Sequence, residues 1–342
     1  MSNVNSLLYF LPELIIVVSI LSSILLGLKE SLSRYIFPSL YISLTVILLI
    51  VLASFNNSSI LFHSLIVVDS FSYFFKLIFT FCVLSIIIVT QNSDEIKSDL
   101  SEYVMMLLSI LLGLYLMSSS VNLLMIYLAV ELVSIPSYIL AGFNKNDKVS
   151  NEASLKYVIF GSFASGLMLF GMSLMYGISG SLNIFDIHTT LVSASNPMFT
   201  SFTLVLVLVG FGYKISMAPF HYWTPDVYEG SPTPVTAFFS VAPKAAGLAL
   251  FARFFISVFT IDGQLSNNDA VLTIDWSGII AMLSALTMTI GNFIALHQSS
   301  VKRMLAYSSI SHIGFILIGF TTVSQYSVTS ILMYIVIYLF MT

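Results

Sequence analysis

Apolar positions along this chain come in long unbroken runs, without the stripe of a soluble amphipathic helix or the alternation of a half-buried strand. LLYFLPELIIVVSILSSILL at residues 7–26 offers no polar face at all. A helix needs about 20 apolar residues to cross a bilayer, whereas a spanning strand needs about 10 with strict alternation. The runs therefore predict helices. They fall near residues 8–27, 35–54, 71–90, 103–119, 122–142, 157–178, 201–228, 234–258, 275–296, 303–322 and 327–342. The pattern predicts an all-α polytopic membrane bundle of about eleven transmembrane helices, with short connections and no room for a soluble domain.

Two runs are irregular. The seventh, 201–228, is too long for one straight span and is interrupted by Gly210, Gly212, Pro219 and Pro225. That is the sequence form of a discontinuous membrane helix, whose unwound backbone is tolerated only where protein or a wet cavity surrounds it. A normal helix followed by a reentrant or surface helix is the alternative. The other irregularity is the end, where an apolar run passes through YIVIYLFMT with no charged flank, as expected of a fragment or one piece of a split subunit. The N-terminus has no basic residues before its first run, and that run is too long for a cleaved leader, so the first span is expected to stay in the membrane.

Composition agrees. Of 342 residues 58% are hydrophobic and only 8% charged, against roughly 25% charged in soluble domains. With 12 Lys+Arg against 16 Asp+Glu there is no basic footprint for nucleic acid. The single cysteine, Cys82, sits in an apolar run as a packing residue and allows no internal disulfide. The basic loop residues Lys29, Arg34, Lys97, Lys145, Lys148, Lys302 and Arg303 all fall in odd-numbered connections. The positive-inside rule then puts those connections on the cytoplasmic or matrix-like face and the N-terminus opposite.

Charges left inside the spans carry the chemistry, because each costs about 2.5–3.5 kcal/mol near the bilayer centre on insertion scales. Glu13, Lys76 and Arg253 lie near span ends, where long side chains snorkel, so they are expected to matter less. Glu131 has about ten apolar residues on either side and cannot snorkel. Lys244 is equally central and follows Pro243, whose missing N–H frees a carbonyl one turn earlier. Lys214 stands at the break of the seventh span. A buried lysine facing a carboxylate holds a proton with an affinity that depends on their separation. Glu152 and Lys156 are spaced four apart in the favourable order, which suits a stabilised helix entry as well as a functional pair. His221 in the broken segment and His312 in mid-span add groups that titrate near neutrality, whereas His63 and His297 lie at span ends and His188 lies on a loop without a partner. Together these residues suggest a proton or cation path. No His, Asp, Glu or Cys pair has metal-ligand spacing on one helix, and Gly210–Gly212 lacks the strand and third glycine of a dinucleotide loop.

The blocks GFGYKISMAPFHYWTPDVYEGSPTPVTAFFSVAPKAAGLALFARF (210–254) and SSVKRMLAYSSISHIGF (299–315), with AVELVSIPSYILAG (129–142), resemble the antiporter-like membrane subunits of respiratory complex I, NADH:quinone oxidoreductase. Within that family, the L and M branches and the multisubunit sodium/proton antiporters typically place His and Met where this chain has Ser240 and Lys244, so the resemblance is to the N-type branch. It implies inverted five-helix repeats, with 1–100 as three N-terminal helices, 101–258 as the first repeat and 259–342 as an incomplete second one. It also implies that Glu131 modulates Lys214 on the broken helix, that Lys244 continues the polar axis, and that Lys156, His221 and His312 occupy secondary positions on it.

The expected function is proton translocation by a subunit with no redox centre, metal or cofactor of its own. NADH and quinone are used by the complex, and flavin and iron–sulfur centres lie in other subunits. Expected partners are the other complex I membrane subunits, lipid and protons, in a bacterial plasma membrane or, alternatively, a mitochondrial inner membrane. The rival readings are a subunit of a stand-alone cation/proton antiporter and a structural membrane scaffold.

Overall fold

The computed structural model describes residues 3–93, 95–96, 99–192, 197–261, 264–265, 276–322 and 325–341. Lys97 lies outside the described residues, as do parts of the connections 179–200 and 259–274 and the terminal Thr342.

In chain order the elements are α1 (Asn3–Tyr9), α2 (Leu11–Gly27), α3 (Glu30–Ser33), α4 (Ile36–Ala53), β1 (Ser59–Leu61), β2 (Ile66–Val68), α5 (Ser70–Gln91), α6 (Leu100–Ser119), α7 (Leu123–Ala141) and α8 (Lys148–Ser179). They continue with α9 (Ile184–Val192), α10 (Pro197–Ile215), α11 (Trp223–Gly230), α12 (Thr233–Phe259), β3 (Thr260–Ile261), β4 (Gln264–Leu265), α13 (Trp276–Ala295), α14 (Val301–Ile318) and α15 (Gln325–Met341). Each apolar run of the sequence corresponds to a helix, and the seventh splits into α10 and α11 around residues 216–222. Among the described residues, eight helices are long and apolar enough to cross a membrane, and α2 and α15 are shorter apolar helices. α14 falls outside both groups because Lys302, Arg303, His312 and three serines dilute its apolar run.

The chain forms two compact units. The first comprises Met1–Ser120, Met125–Leu155 and Gly230–Ala246; the second comprises Val121–Leu124, Lys156–Glu229 and Gly247–Thr342. In the first, α2 packs against α4 and α6, and α5 packs against the same two helices. In the second, α13 packs along α14, and α15 follows on α14. Gly291 allows the α13–α14 approach, since a Cβ there would lie 2.6 Å from the Ser311 backbone nitrogen. Small residues serve helix contacts in lipid in this way, because no hydrophobic force drives helices together there.

Two departures from the sequence reading are local. Residues 59–68, read only as a connection, form a β1–β2 hairpin pairing Ser59 with Val68 and Leu61 with Ile66. The β-branched Ile66-Val67-Val68 is too short to span as a helix and is suited to a two-stranded ribbon. The connection 179–200 contains the helix α9, started by Asn183, whose side-chain oxygen accepts the Phe185 N–H at 3.0 Å.

Many hydroxyls inside the helices are satisfied by their own helix. Ser134 donates to the Val130 carbonyl at 2.7 Å and Ser137 to the Val133 carbonyl at 2.6 Å, the back-bonding that hides a hydroxyl in an apolar surround. α5 begins with a reciprocal cap: Asp69 accepts the Ser72 N–H at 2.8 Å, and Ser72 Oγ accepts the Asp69 N–H at 2.9 Å. Large apolar side chains such as Leu25, Leu49 and Phe163 are about two-thirds exposed. Rows of these along apolar helices fit contact with lipid.

Candidate functional site

Lys214 occupies the last turn of α10, next to the break. Ending a helix at membrane depth leaves its last carbonyls without partners, at a cost unless other donors arrive. Here they do. The Met217 N–H returns to the Gly212 carbonyl at 2.8 Å, and the Tyr213 carbonyl accepts both the Ser216 N–H at 3.1 Å and the Trp223 indole N–H at 3.0 Å. Ser216 adopts φ 62, a left-handed conformation that turns the chain. Its hydroxyl accepts from Thr224 at 2.8 Å, and the Ala218 N–H donates to Thr287 Oγ1 on α13 at 3.0 Å. The Trp223 ring stacks on Tyr157 at 4.5 Å, and the Tyr213 hydroxyl donates to the Tyr157 carbonyl at 3.0 Å. The unwound stretch is thus tied on several sides, which fixes the stem of Lys214, a residue only 4% exposed.

Gly247 completes the setting. On α12, a Cβ at this position would come within 2.7 Å of Ile215 Cγ2 and 3.4 Å of Lys214 Cγ. Only glycine lets α12 lie this close to the end of α10. The sequence reading passed over Gly247, although its spacing three residues beyond Lys244 places it about one turn on.

Lys244 lies inside α12, one residue after Pro243, and is 1% exposed. Glu131 sits at the middle of α7, half-buried; its Oε1 is buried and meets no hydrogen-bond donor among the described residues. Glu131 and Lys244 belong to the first unit, Lys214 to the second.

The secondary residues divide. Lys156 Nζ lies 2.7 Å from Asp226 Oδ2, and the other oxygen, Oδ1, receives Arg303 Nη1 at 2.6 Å. Arg303 also reaches Glu229 Oε2 at 3.1 Å. Lys156 therefore joins a four-residue ionic cluster, each member about one-third exposed. Arg303, read from the sequence as an orienting loop residue, is part of it, and Asp226 and Glu229 were not singled out at all. His312 Nδ1 bonds to the Tyr334 hydroxyl at 2.8 Å, with the Tyr338 ring 5.3 Å away. His221 is buried at 3% exposure and stacks on Tyr222. His188, which had no partner in the sequence, donates from Nδ1 to the Val258 carbonyl at 2.8 Å.

One expectation is corrected. Glu13 and Lys76 were read as snorkelling to the interface. Instead they meet each other, with Lys76 Nζ 2.6 Å from Glu13 Oε1 and both side chains 0% exposed. Because helix packing brings them into contact, neither has to reach water.

Comparison with known proteins places these features in context. Residues 120–342 match the family model described as NADH:quinone oxidoreductase/Mrp antiporter, transmembrane. The chain is 42% identical, over all of its length and 70% of the relative's, to NADH-quinone oxidoreductase subunit N 2 of Sorangium cellulosum. It is 36% identical to subunit N of Bartonella bacilliformis, over 99% of this chain and 69% of that one. Other curated relatives are covered to a lesser extent, such as 57% of subunit N of Anaeromyxobacter at 42% identity. Among solved structures, a chain of respiratory complex I from Thermus thermophilus superposes with a TM-score of 0.76 at 29% identity, covering 96% of this chain and 68% of that chain. A chain of the Mrp complex from Dietzia shares the fold, with a TM-score of 0.81 at 22% identity over 96% of this chain and 61% of that chain.

Proposed function

Since the chain belongs to the NADH:quinone oxidoreductase/Mrp antiporter transmembrane family, we propose that it is an N-type, proton-translocating membrane subunit of a bacterial complex I, working beside the other membrane subunits in the plasma membrane. The supporting observation is a buried lysine, Lys214, at a stabilised helix break, within a chain 42% identical along its whole length to a subunit N. The subunit carries protons and no electrons. NADH and quinone react elsewhere in the complex, at flavin and iron–sulfur centres of other subunits.

In this reading Lys214 holds the moving proton, Glu131 sets how tightly it is held, and Lys244 receives it onward. Lys156, His221 and His312 serve as secondary groups on the polar axis. A carboxylate near a buried lysine stabilises the ammonium, and withdrawing that charge lets desolvation expel the proton. Each proton moved against the membrane potential requires about 2.3 kcal/mol per 100 mV, which changes in a low-dielectric charge pair can match.

The test is Lys214→Ala and Glu131→Ala in the assembled complex, measuring NADH-driven proton uptake in sealed vesicles. Both variants are expected to lose most proton transport; normal transport in both would remove the assignment. Sodium-dependent transport without NADH oxidation would favour the stand-alone antiporter reading, which the family description also covers.

A further inference from the structure

The unwound stretch between α10 and α11 meets much of its backbone demand locally. The N–H groups of Ser216 and Met217 return to the Tyr213 and Gly212 carbonyls at 3.1 and 2.8 Å, and that of Phe220 bonds to the Met217 carbonyl at 2.7 Å. Pro219 has no N–H to satisfy. Ala218 differs, because its N–H leaves the segment and donates to Thr287 Oγ1 on α13 at 3.0 Å.

Thr287 is suited to receive it. Its hydroxyl hydrogen is committed to the Leu283 carbonyl at 2.6 Å, the back-bonding of a helical threonine, so its oxygen meets Ala218 through a remaining lone pair. Thr287 is 0% exposed and Ala218 1%. Water is therefore shut out, and without the hydroxyl the Ala218 N–H would be a buried donor left unsatisfied.

α13 is in turn locked to α14. A Cβ at Gly314 would lie 2.7 Å from the Met288 backbone nitrogen, Ser284 Oγ donates to the Gly314 carbonyl at 2.7 Å, and Ser311 Oγ donates to Asn292 Oδ1 at 2.9 Å. α14 also carries Arg303, which reaches Asp226 and Glu229 on α11 at 2.6 and 3.1 Å. The α13–α14 hairpin thus holds the broken helix at two points, Thr287 within the break and Arg303 beyond it. Lys214 lies about one turn before Ala218, and the bonds from Ser216 and Met217 back to Tyr213 and Gly212 carry any displacement of Ala218 into its turn.

We propose that Thr287 is a positioning residue for Lys214: its hydroxyl, held on the α13–α14 hairpin, fixes where the broken helix presents the lysine. The inference rests on the proton-holding role proposed for Lys214. A misplacement of about 1 Å can cost about 100-fold in rate, and how tightly a buried lysine holds its proton follows its distance from charge and from water.

The test uses the intact complex in sealed vesicles, with NADH oxidation and proton uptake measured across a range of pH. Three variants are compared: Thr287→Val, similar in shape but lacking the acceptor; Thr287→Ser, which keeps it; and Lys214→Ala. Thr287→Val is expected to assemble and oxidise NADH while losing most of its proton transport, and the pH dependence of the remainder should be displaced. Thr287→Ser should match the unaltered complex in both respects. Unaltered transport by Thr287→Val overturns the proposal. Reduced transport with an unchanged pH dependence overturns it too, because that would mean fewer working complexes and no displaced lysine. Equal loss in Thr287→Ser would assign the effect to the methyl group, and failure of Thr287→Val to assemble would make the hydroxyl a brace for the fold; either result removes the positioning role. Lys214→Ala separates this inference from the reading beneath it. Normal transport in that variant removes the proposed function, whereas lost transport there beside normal transport in Thr287→Val removes only the role of Thr287.

Discussion

Asp226 accepts from two cations at once, Lys156 at 2.7 Å and Arg303 at 2.6 Å, with its side chain 29% exposed. Partly exposed ion pairs are each worth about 0.2–1 kcal/mol, so the cluster contributes modestly to stability and more to orientation. Asp226→Asn is expected to destabilise the subunit by about 1 kcal/mol while leaving it assembled, visible as a lowered midpoint of thermal inactivation. An unchanged midpoint would mean that the cluster adds nothing net. Lys214 and Lys244 belong to a different regime. At 4% and 1% exposure their charges are shielded from water, so substituting them should affect proton transport first.

At the level of helices, close packing holds the break in the seventh span. Gly247→Ala would place a Cβ 2.7 Å from Ile215 Cγ2, forcing α12 and the end of α10 apart at a cost of about 1–3 kcal/mol. The expected result is an assembled complex that oxidises NADH but transports fewer protons, because Lys214 moves with its helix end; unchanged transport would show that the break tolerates displacement. The Glu13–Lys76 pair links α2 to α5 in another way. Removing either partner alone strands a buried ion, costing about 3–5 kcal/mol, so Glu13→Gln and Lys76→Met singly should lower the amount of subunit in the membrane, and combining them should restore it. Equal loss in all three variants would mean that the shape of the side chains matters more than their charge.

For the molecule as a whole, the distribution of basic loop residues orients the chain. Lys29, Arg34 and Lys145 lie in odd-numbered connections and Lys148 opens α8, so the positive-inside rule puts all four on one face, and the β1–β2 hairpin falls in an even-numbered connection. With Cys82, which is buried, replaced by Ser, a cysteine at exposed Asn146 should react only with a reagent on the cytoplasmic side, and one at exposed Asn57 only with a reagent on the opposite side. Labelling of both from the same side would invert or break the topology. The chain spans 70% of its relative from Sorangium and 57% of that from Anaeromyxobacter, so transport is best measured in the assembled complex.

By itself, the sequence determined the membrane setting, the helical class, the break in the seventh span and the isolation of Glu131, Lys214 and Lys244. The reason is that transfer into a bilayer is a local free energy, summed residue by residue along one helix, so a charge within an apolar run stands out without knowledge of any neighbour. Only the tertiary structure decided the partners. Asp226 and Glu229 lie at the end of the broken seventh run, in TPDVYEGS, where nothing in the sequence pairs them; they became notable once α11 met Lys156 and Arg303. Gly247 looked like any glycine until α12 was laid against Ile215. Glu13 and Lys76 each appeared able to snorkel, and their contact depends on how α2, α4, α5 and α6 pack together. Such contacts follow from many weak packing terms acting between distant segments, and no single stretch of sequence contains them.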